Sequence, residues 1–319
     1  LTNAKRGAKA ALEQSEAYRQ AVQTQLIATI ANSYYSLLML DAQLDISERT
    51  AANWGENVRA MKALKAAGDA TELAVAQSEA SKLSVDASIA SLRQQIDQME
   101  NTLTALLGIA PQKIDRTTIG EQRFPTELAA GVPLQLLQRR PDVRQSEAAL
   151  AQAFYATNAA RAAFYPSITL SGSAGWTNAA GAAITNPGQW LFTAVGSLVQ
   201  PLFNRGKNIA NLRIAKAQQE EALLSFRQSL LDAGTDVNNA LIQWQTARQR
   251  QQIDQQQILS LESTVRSSEL LMQYSSQNYL EVLTARQTLL QAELTAVSDR
   301  FDEIQGVINL YHALGGGAE

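Results

Sequence analysis

The chain has no cysteine and one histidine, His312, in 319 residues. These absences remove disulfides, thiolate chemistry and the cysteine–histidine clusters that hold zinc or iron, while leaving the redox compartment open. Aromatic residues are scarce at 6%, although 45% of the chain is apolar, much of it alanine. Small residues suit close helix contacts better than a thick globular core. No apolar run reaches the roughly 18 residues a transmembrane helix needs, which excludes such a helix but not a transmembrane strand. Basic residues are scattered among acids at a net charge of −3, so no field recruits nucleic acid.

What is present is long helical periodicity. From Ala8 to Ala66 there is no proline and only Gly55 as a breaker, while Leu26, Ile30, Tyr34, Leu37 and Leu44 recur at helical spacing. Such a helix would be about 85 Å long and needs neighbours along its length. The run Ala67-Gly68-Asp69-Ala70-Thr71 breaks the pattern. Glu72 to Leu107 resumes it through Leu73, Val85, Ile89, Leu92, Ile96, Met99 and Leu103, and Gly108 and Pro111 stop it. The expectation is a helical hairpin with a tight tip.

The second half repeats this plan. Ala8-Lys9-Ala10 reappears as Ala215-Lys216-Ala217, Asn32 as Asn239, Leu73 as Leu280 and Leu107-Gly108 as Leu314-Gly315, at one separation of 207 residues. A constant offset argues for an internal duplication. Between the halves, residues 111–140 carry Pro111, Gly120, Pro125, Gly131 and Pro133, the composition of an irregular connector. Pro141 suits a first helical turn, with Asp142 beside the exposed amides, and that helix runs to about Phe164 before Pro166 ends it. A further helix is expected from Asn204 to about Leu271, about 100 Å long.

After Pro166 the period changes to 2. Ile168, Leu170, Gly172, Ala174 and Trp176 alternate with Ser167, Thr169, Ser171, Ser173 and Gly175, and Trp190 to Gln200 reads as a second strand. Each strand has the length that spans a bilayer when tilted, with Trp176 and Trp190 placed as interfacial anchors. A two-stranded ribbon capping a soluble bundle would show similar alternation, so both readings stand at this point. Two strands alone leave open edges that lipid cannot satisfy, so a membrane hairpin needs strands from elsewhere. The duplication places an equivalent hairpin just before Leu1, which gives four strands per chain and twelve in three copies.

Arg139-Arg140-Pro141-Asp142-Val143-Arg144, with Glu147, Ala148, Leu150, Ala160-Arg161 and Phe164-Tyr165-Pro166, resembles the segment before the second β-hairpin of the outer membrane factors of tripartite efflux systems, the TolC-like and OprM-like channels. Tyr279-Leu280-Glu281-Val282-Leu283-Thr284-Ala285 and the closing Leu314-Gly315-Gly316 resemble that family's second tip and carboxyl-terminal repeat end. With the duplication, the resemblance covers essentially the whole chain. The family's signal sequence, its often lipid-modified amino-terminal cysteine and its first β-hairpin have no counterpart here.

The resemblance implies a mainly α protein of long antiparallel hairpins with one transmembrane β-hairpin. Its native form would be a homotrimer, a twelve-stranded barrel continuous with a helical tunnel. Residues 1–110 become the first periplasmic hairpin, 111–140 an equatorial connector, 141–166 the helix leading to the membrane, 167–200 the outer-membrane hairpin, 201–314 the second periplasmic hairpin and 315–319 a tail. Implied partners are outer-membrane lipids, a periplasmic adaptor (membrane fusion protein) and an inner-membrane pump of the RND type. Glu281, Asp69 and Glu72 are the pore or gate candidates; Gly68, Ala70, Leu73, Ser275, Tyr279 and Leu283 are the adaptor contacts, with Gly68 and Ser275 equivalent by the repeat. Phe164, Tyr165, Pro166, Pro201 and Phe203 mark the barrel–tunnel junction, where the aromatics are expected to fill the bend.

No catalytic constellation or cofactor site is legible, so an enzyme is not expected. His312 lacks partners for metal or nucleophile chemistry, Asp299 and Asp302 at i,i+3 read as a solvated face, and Gly172-Ser173-Ala174-Gly175 lacks the Lys-Ser/Thr of a phosphate loop. The function implied is passive conduction of drugs or other solutes, with energy supplied by the pump. The alternatives are an elongated structural protein of the envelope, which would not need the alternation at 167–176, and an adaptor, which would carry more strand.

Overall fold

The computed structural model describes residues 2–124, 139–177, 189–200, 204–274 and 279–317. In chain order they form α1 (Thr2–Ala67), α2 (Glu72–Leu106), a 3₁₀ turn (Ile119–Glu121), α3 (Pro141–Ala162), β1 (Ser167–Thr177), β2 (Gln189–Val199), α4 (Lys207–Tyr274) and α5 (Tyr279–Ala313). The duplication is present in the element boundaries themselves. Helix α1 ends at Ala67 and α4 at Tyr274, α2 begins at Glu72 and α5 at Tyr279, and α2 and α5 are each 35 residues long.

Three helix ends close in the same way. At Gly68, Gly108 and Gly315 the backbone takes φ of +88°, +69° and +78°, the left-handed region that costs an L side chain but not glycine. In each, two amide N–H groups fold back on the last turn: Gly68 N to Lys65 O at 3.0 Å and Asp69 N to Leu64 O at 2.9 Å, and likewise Gly315 to His312 and Gly316 to Tyr311, both 2.9 Å. This satisfies carbonyls that would otherwise be orphaned. Thr71 then caps α2 by accepting from Ala74 N at 3.2 Å. Helix α1 runs through Gly55 as expected, whereas α4 begins at Lys207 and not at Asn204, because Arg205 and Gly206 take φ of +45° and +76° and turn the chain after Asn204.

The chain divides into two compact units, to both of which α1 and α4 contribute. The first comprises Leu1–Tyr18 and Asp142–Leu230. Its helices meet through Ala10, Ala17, Ala148 and Ala215, all buried, so the backbones approach closely. Thr157, 1% exposed, donates its hydroxyl to its own turn at Ala153 O and across to Ala215 O, both at 3.0 Å. Gln152 bonds Gln14 at 2.5 Å, and the Ser146 and Ser229 hydroxyls lie 2.6 Å apart. In this unit β1 and β2 pair antiparallel over eleven residue pairs from Ser167↔Val199 to Thr177↔Gln189.

The second unit comprises Arg19–Pro141 and Leu231–Glu319. Its core is a string of small clusters: Leu38, Ile119, Ile304 and Ile308; Leu37, Leu40, Ile96 and Leu103; Trp54, Val85, Ile89 and Leu283; and Met61, Ala74 and Val75. Gly306 lets α5 touch α4, since a Cβ there would stand 2.9 Å from Trp244 N. Ion pairs lace α1 to α2, among them Arg93–Glu48 and Lys62–Glu79, both at 2.7 Å. Exposed pairs of this kind add only about 0–1 kcal/mol each, so the apolar seam carries the pairing.

The connector is fastened by Arg116. Its guanidinium bonds Asp41 on α1, with Nη2 to Oδ1 at 2.9 Å, together with buried Glu100 on α2 and Ile114 O. The bond to Asp41 leads the effects that hold this guanidinium charged above its ordinary range. Arg140 does the equivalent at the start of α3. It is 4% exposed and donates to Ala313 O at 3.2 Å, Ala233 O at 3.5 Å and Asp236 Oδ2 at 2.9 Å. It thus neutralises the carboxyl end of α5 and joins it to α4. A Cβ on Gly315 would lie 3.3 Å from the Arg139 carbonyl, so the Arg-Arg-Pro-Asp and Leu-Gly-Gly stretches are one packing unit.

Asp299, expected on a solvated face, is instead 4% exposed between α5 and α4. Arg250 Nη2 reaches its Oδ1 at 3.0 Å but also bonds Asp302 at 2.6 Å. Asp254, 7% exposed, stands against it with Oδ2 lacking a hydrogen-bond partner. Burial first, then Asp254 and Asp302, push the Asp299 carboxyl up to about 6 despite Arg250. When protonated, Asp299 carries a donor that Asp254 Oδ2 can accept.

Two outcomes follow. Arg140→Met removes these bonds from the carboxyl end of α5 and from α4 and should cost about 2–3 kcal/mol, read from the urea midpoint by far-UV circular dichroism, with Arg140→Lys recovering only part. An unchanged midpoint would show that Arg140 is not a fastener. For Asp299 the folded pKa lies above the ordinary 3.8, so the folded state binds the extra proton and this site's contribution to stability falls as pH rises from about 4 to about 6. Stability of Asp299→Asn relative to the unsubstituted protein should therefore increase across that window by on the order of 2 kcal/mol. A difference independent of pH would contradict the shared proton.

Candidate functional site

Two regions hold the candidate residues. The first is built where the α1–α2 turn lies beside the start of α5. Gly68 and Asp69 are exposed, Ala70 is half-buried and Leu73 is 61% exposed. Glu72 is exposed but ion-paired with Lys65 across the turn, which reduces the field it can project. Glu281 is exposed in the first turn of α5, where negative charge is favoured by the helix dipole, and no ion pair neutralises it among the described residues.

Tyr279 and Leu283 face inward more than the sequence suggested. The Tyr279 hydroxyl donates to Gln77 Oε1 at 2.7 Å, and its ring packs on both the Trp54 cluster and the Met61 cluster. This bond ties α2 to α5, a role for Gln77 that no local sequence signal marks. Leu283 is 8% exposed within the Trp54 cluster, so it shapes the surface from beneath. Ser275 lies outside the described residues.

The second region is the ribbon and its approach. The register puts Ile168 opposite Leu198, Leu170 opposite Gly196, Gly172 opposite Ala194, Ala174 opposite Phe192 and Trp176 opposite Trp190. One face is therefore apolar and the other mostly hydroxyl-bearing, with Ser173↔Thr193 and Thr169↔Ser197 on the latter. Among the described residues nothing covers the apolar face: Ile168 is 81%, Leu170 80% and Phe192 75% exposed. At the approach, Phe164 and Tyr165 close a turn onto Arg161 and Ala162, and Gln200 and Asn208 side chains bond the Phe164 and Ala163 carbonyls. Tyr165 is 73% exposed, so these aromatics do not fill the bend within this chain. Pro201 and Phe203 lie outside the described residues.

In the motif, Arg140, Pro141 and Val143 are buried while Arg139, Asp142 and Arg144 are exposed, and Asp142 Oδ1 accepts from Val143 N at 2.9 Å. Its role is structural. His312 is half-buried in the last turn of α5. Among the described residues no cluster of three or more metal-ligating side chains occurs, and no helix is long and apolar enough to cross a membrane.

The arrangement has clear relatives. Residues 1–109 and 132–316 match the outer membrane efflux protein family. The cation efflux system protein CusC of Escherichia coli K12 is 30% identical over 304 residues, 95% of this chain and 66% of CusC. The pyoverdine export outer membrane protein OpmQ of Pseudomonas putida is 32% identical over 319 residues, 99% of this chain and 67% of OpmQ. The chain thus spans about two thirds of the length of these relatives. Among solved structures, CusC superposes with a TM-score of 0.88 at 29% identity, covering 98% of this chain and 74% of that one. The open state of the MtrE outer membrane channel of Neisseria gonorrhoeae gives 0.87 at 28% identity, covering 99% and 72%. A duplicated pair of helical hairpins bearing one uncovered β-ribbon, aligned over nearly its whole length with these proteins, belongs to the outer membrane efflux protein family.

Proposed function

We propose that this protein is the outer-membrane channel component of a tripartite efflux system, a passive conduit for solutes delivered by an inner-membrane pump, with RND type the expected class. The carrying observation is the ribbon. Its eleven-residue strands have the length of a tilted transmembrane strand, its apolar face is uncovered among the described residues, and its opposite face carries the hydroxyls of Ser167, Thr169, Ser171, Ser173, Thr193 and Ser197 alongside Leu191, Val195 and Val199. Open strand edges in lipid cost several kcal/mol per unsatisfied group, so the ribbon joins strands from further chain and from other copies, in a homotrimer set in outer-membrane lipid. The helical hairpins form the periplasmic conduit beneath it.

The turn region is read as the end that gates and docks. Glu281 is the leading pore candidate because its charge is exposed and unneutralised, Asp69 is second, and Glu72 is weakest because Lys65 holds it. Three copies of a carboxylate about one axis concentrate cations and repel one another, which favours opening. Gly68, Ala70 and Leu73, with Tyr279, offer the surface for a periplasmic adaptor, and Leu283 supports it from below. Cargo is not set by this chain: CusC is named for cation efflux and OpmQ for pyoverdine export on the same architecture.

The test is conductance of the complete gene product in planar bilayers, for the unsubstituted protein and Glu281→Gln. In 0.1 M salt, where screening extends about 10 Å, Glu281→Gln should lower the cation-to-anion permeability ratio at least about twofold, and in 1 M salt the two should converge. Absence of any conducting unit would defeat the channel reading. Conduction with unchanged selectivity would remove Glu281 from the pore.

A further inference from the structure

A cavity of about 150 Å³ opens among α1, α4 and α5 within the second unit. Its apolar side is made by Ile46, Trp54, Val265, Leu289 and Leu290. Trp54 is 1% exposed, so it forms a fixed wall rather than a movable flap. Apolar cavities of about this volume hold a single benzene ring.

The polar side carries Arg49 and Arg286 together with Glu269 and Glu293. Arg286 is committed to Glu269, with Nε and Nη2 at 3.0 and 2.5 Å from Oε1, and to Asn53 O at 3.2 Å. Arg49 is paired with Asp45 at 3.2 Å on its own helix. Glu293 lines the same cavity, half-buried, and no hydrogen bond or ion pair holds its carboxylate among the described residues. Arg49 attracts it at longer range and Glu262 on α4 repels it, while burial is the largest effect and pushes its carboxyl up. Of the four charged side chains that line the cavity, Arg49 and Arg286 are paired with Asp45 and Glu269, and Glu293 is the one without a direct ion pair among the described residues. A half-buried carboxylate that makes no direct hydrogen bond or ion pair among the described residues, beside a ring-sized apolar wall, can accept a donor cation carrying an apolar body.

We propose that this cavity is a binding site for a small organic monocation, a primary amine bearing one ring or a short branched alkyl group. The ammonium pairs with Glu293, and the apolar body lies against Trp54 and Leu290. The site is independent of the channel reading, because it is built within one chain and needs neither conduction nor a partner protein.

The experiment is calorimetric titration of the complete gene product in detergent with benzylamine, and with benzyl alcohol as its uncharged counterpart, each against a detergent blank. Benzylamine should bind saturably, one per chain, and at least tenfold more tightly than benzyl alcohol at pH 7. Glu293→Gln should weaken benzylamine at least tenfold while leaving benzyl alcohol unchanged. Affinity should also fall as pH is lowered, because protonation removes the Glu293 charge, and burial moves that protonation to higher pH than for an ordinary carboxylate. Leu289→Trp, which fills the cavity, should abolish binding of both compounds with helicity retained by circular dichroism. No saturable binding, equal affinity for the alcohol, indifference to Glu293→Gln, or persistent binding to folded Leu289→Trp would each overturn the proposal. None of these results depends on whether the protein conducts.

Discussion

Helices of 66 and 68 residues have surface along their whole length and no interior, so each must be accompanied by another helix at nearly every turn. That constraint shapes the rest. A single central core would stabilise only a few turns, and this chain distributes its apolar residues as a string of small clusters from Ile308 to Val75. Elsewhere close approach takes over, through Gly306 in the second unit and through Ala215 and Thr157 in the first, where a hydroxyl bridges two helices. Alanine richness and aromatic scarcity are consequences of this geometry. Large side chains appear where three helices converge, as at Trp54.

A seam of this kind has no strong preference for register, so fasteners are needed at its ends. Arg140 and Arg116 meet that need. Each is drawn from a segment outside the long helices and binds carboxylates or carbonyls on two of them. Glycine closes the other ends, with the same left-handed turn at Gly108 and Gly315 in the two repeats.

Much of this architecture was legible from period and punctuation. The change at Pro166 from helical to alternating pattern located both strands to within a residue, and the glycines located the helix ends. What escaped depends on contacts distant in sequence. Arg140 finds its acceptors 93 and 173 residues away, and Arg116 finds Asp41 at 75. Asp299 was misjudged because i,i+3 acids describe one helix, whereas Arg250 and Asp254 arrive from another. Leu283 belonged to a surface motif by resemblance, yet its position on α5 turns it toward Trp54. Arg205 carries no turn signal of its own, so the start of α4 was set too early. Phe164 and Tyr165 were expected to fill a bend and stand exposed, as does the apolar face of the ribbon.

These exposed groups bear on the claim that orders the others, that the chain is one part of a larger closed assembly. Two paired strands leave two open edges and an uncovered apolar face, and no element described in the chain covers either. The most direct measurement is the mass of the complete gene product in mild detergent, by light scattering corrected for bound detergent. The account predicts three copies with a belt of detergent. A monomer that remains soluble without detergent would contradict it and would return the protein to the reading of an elongated helical scaffold.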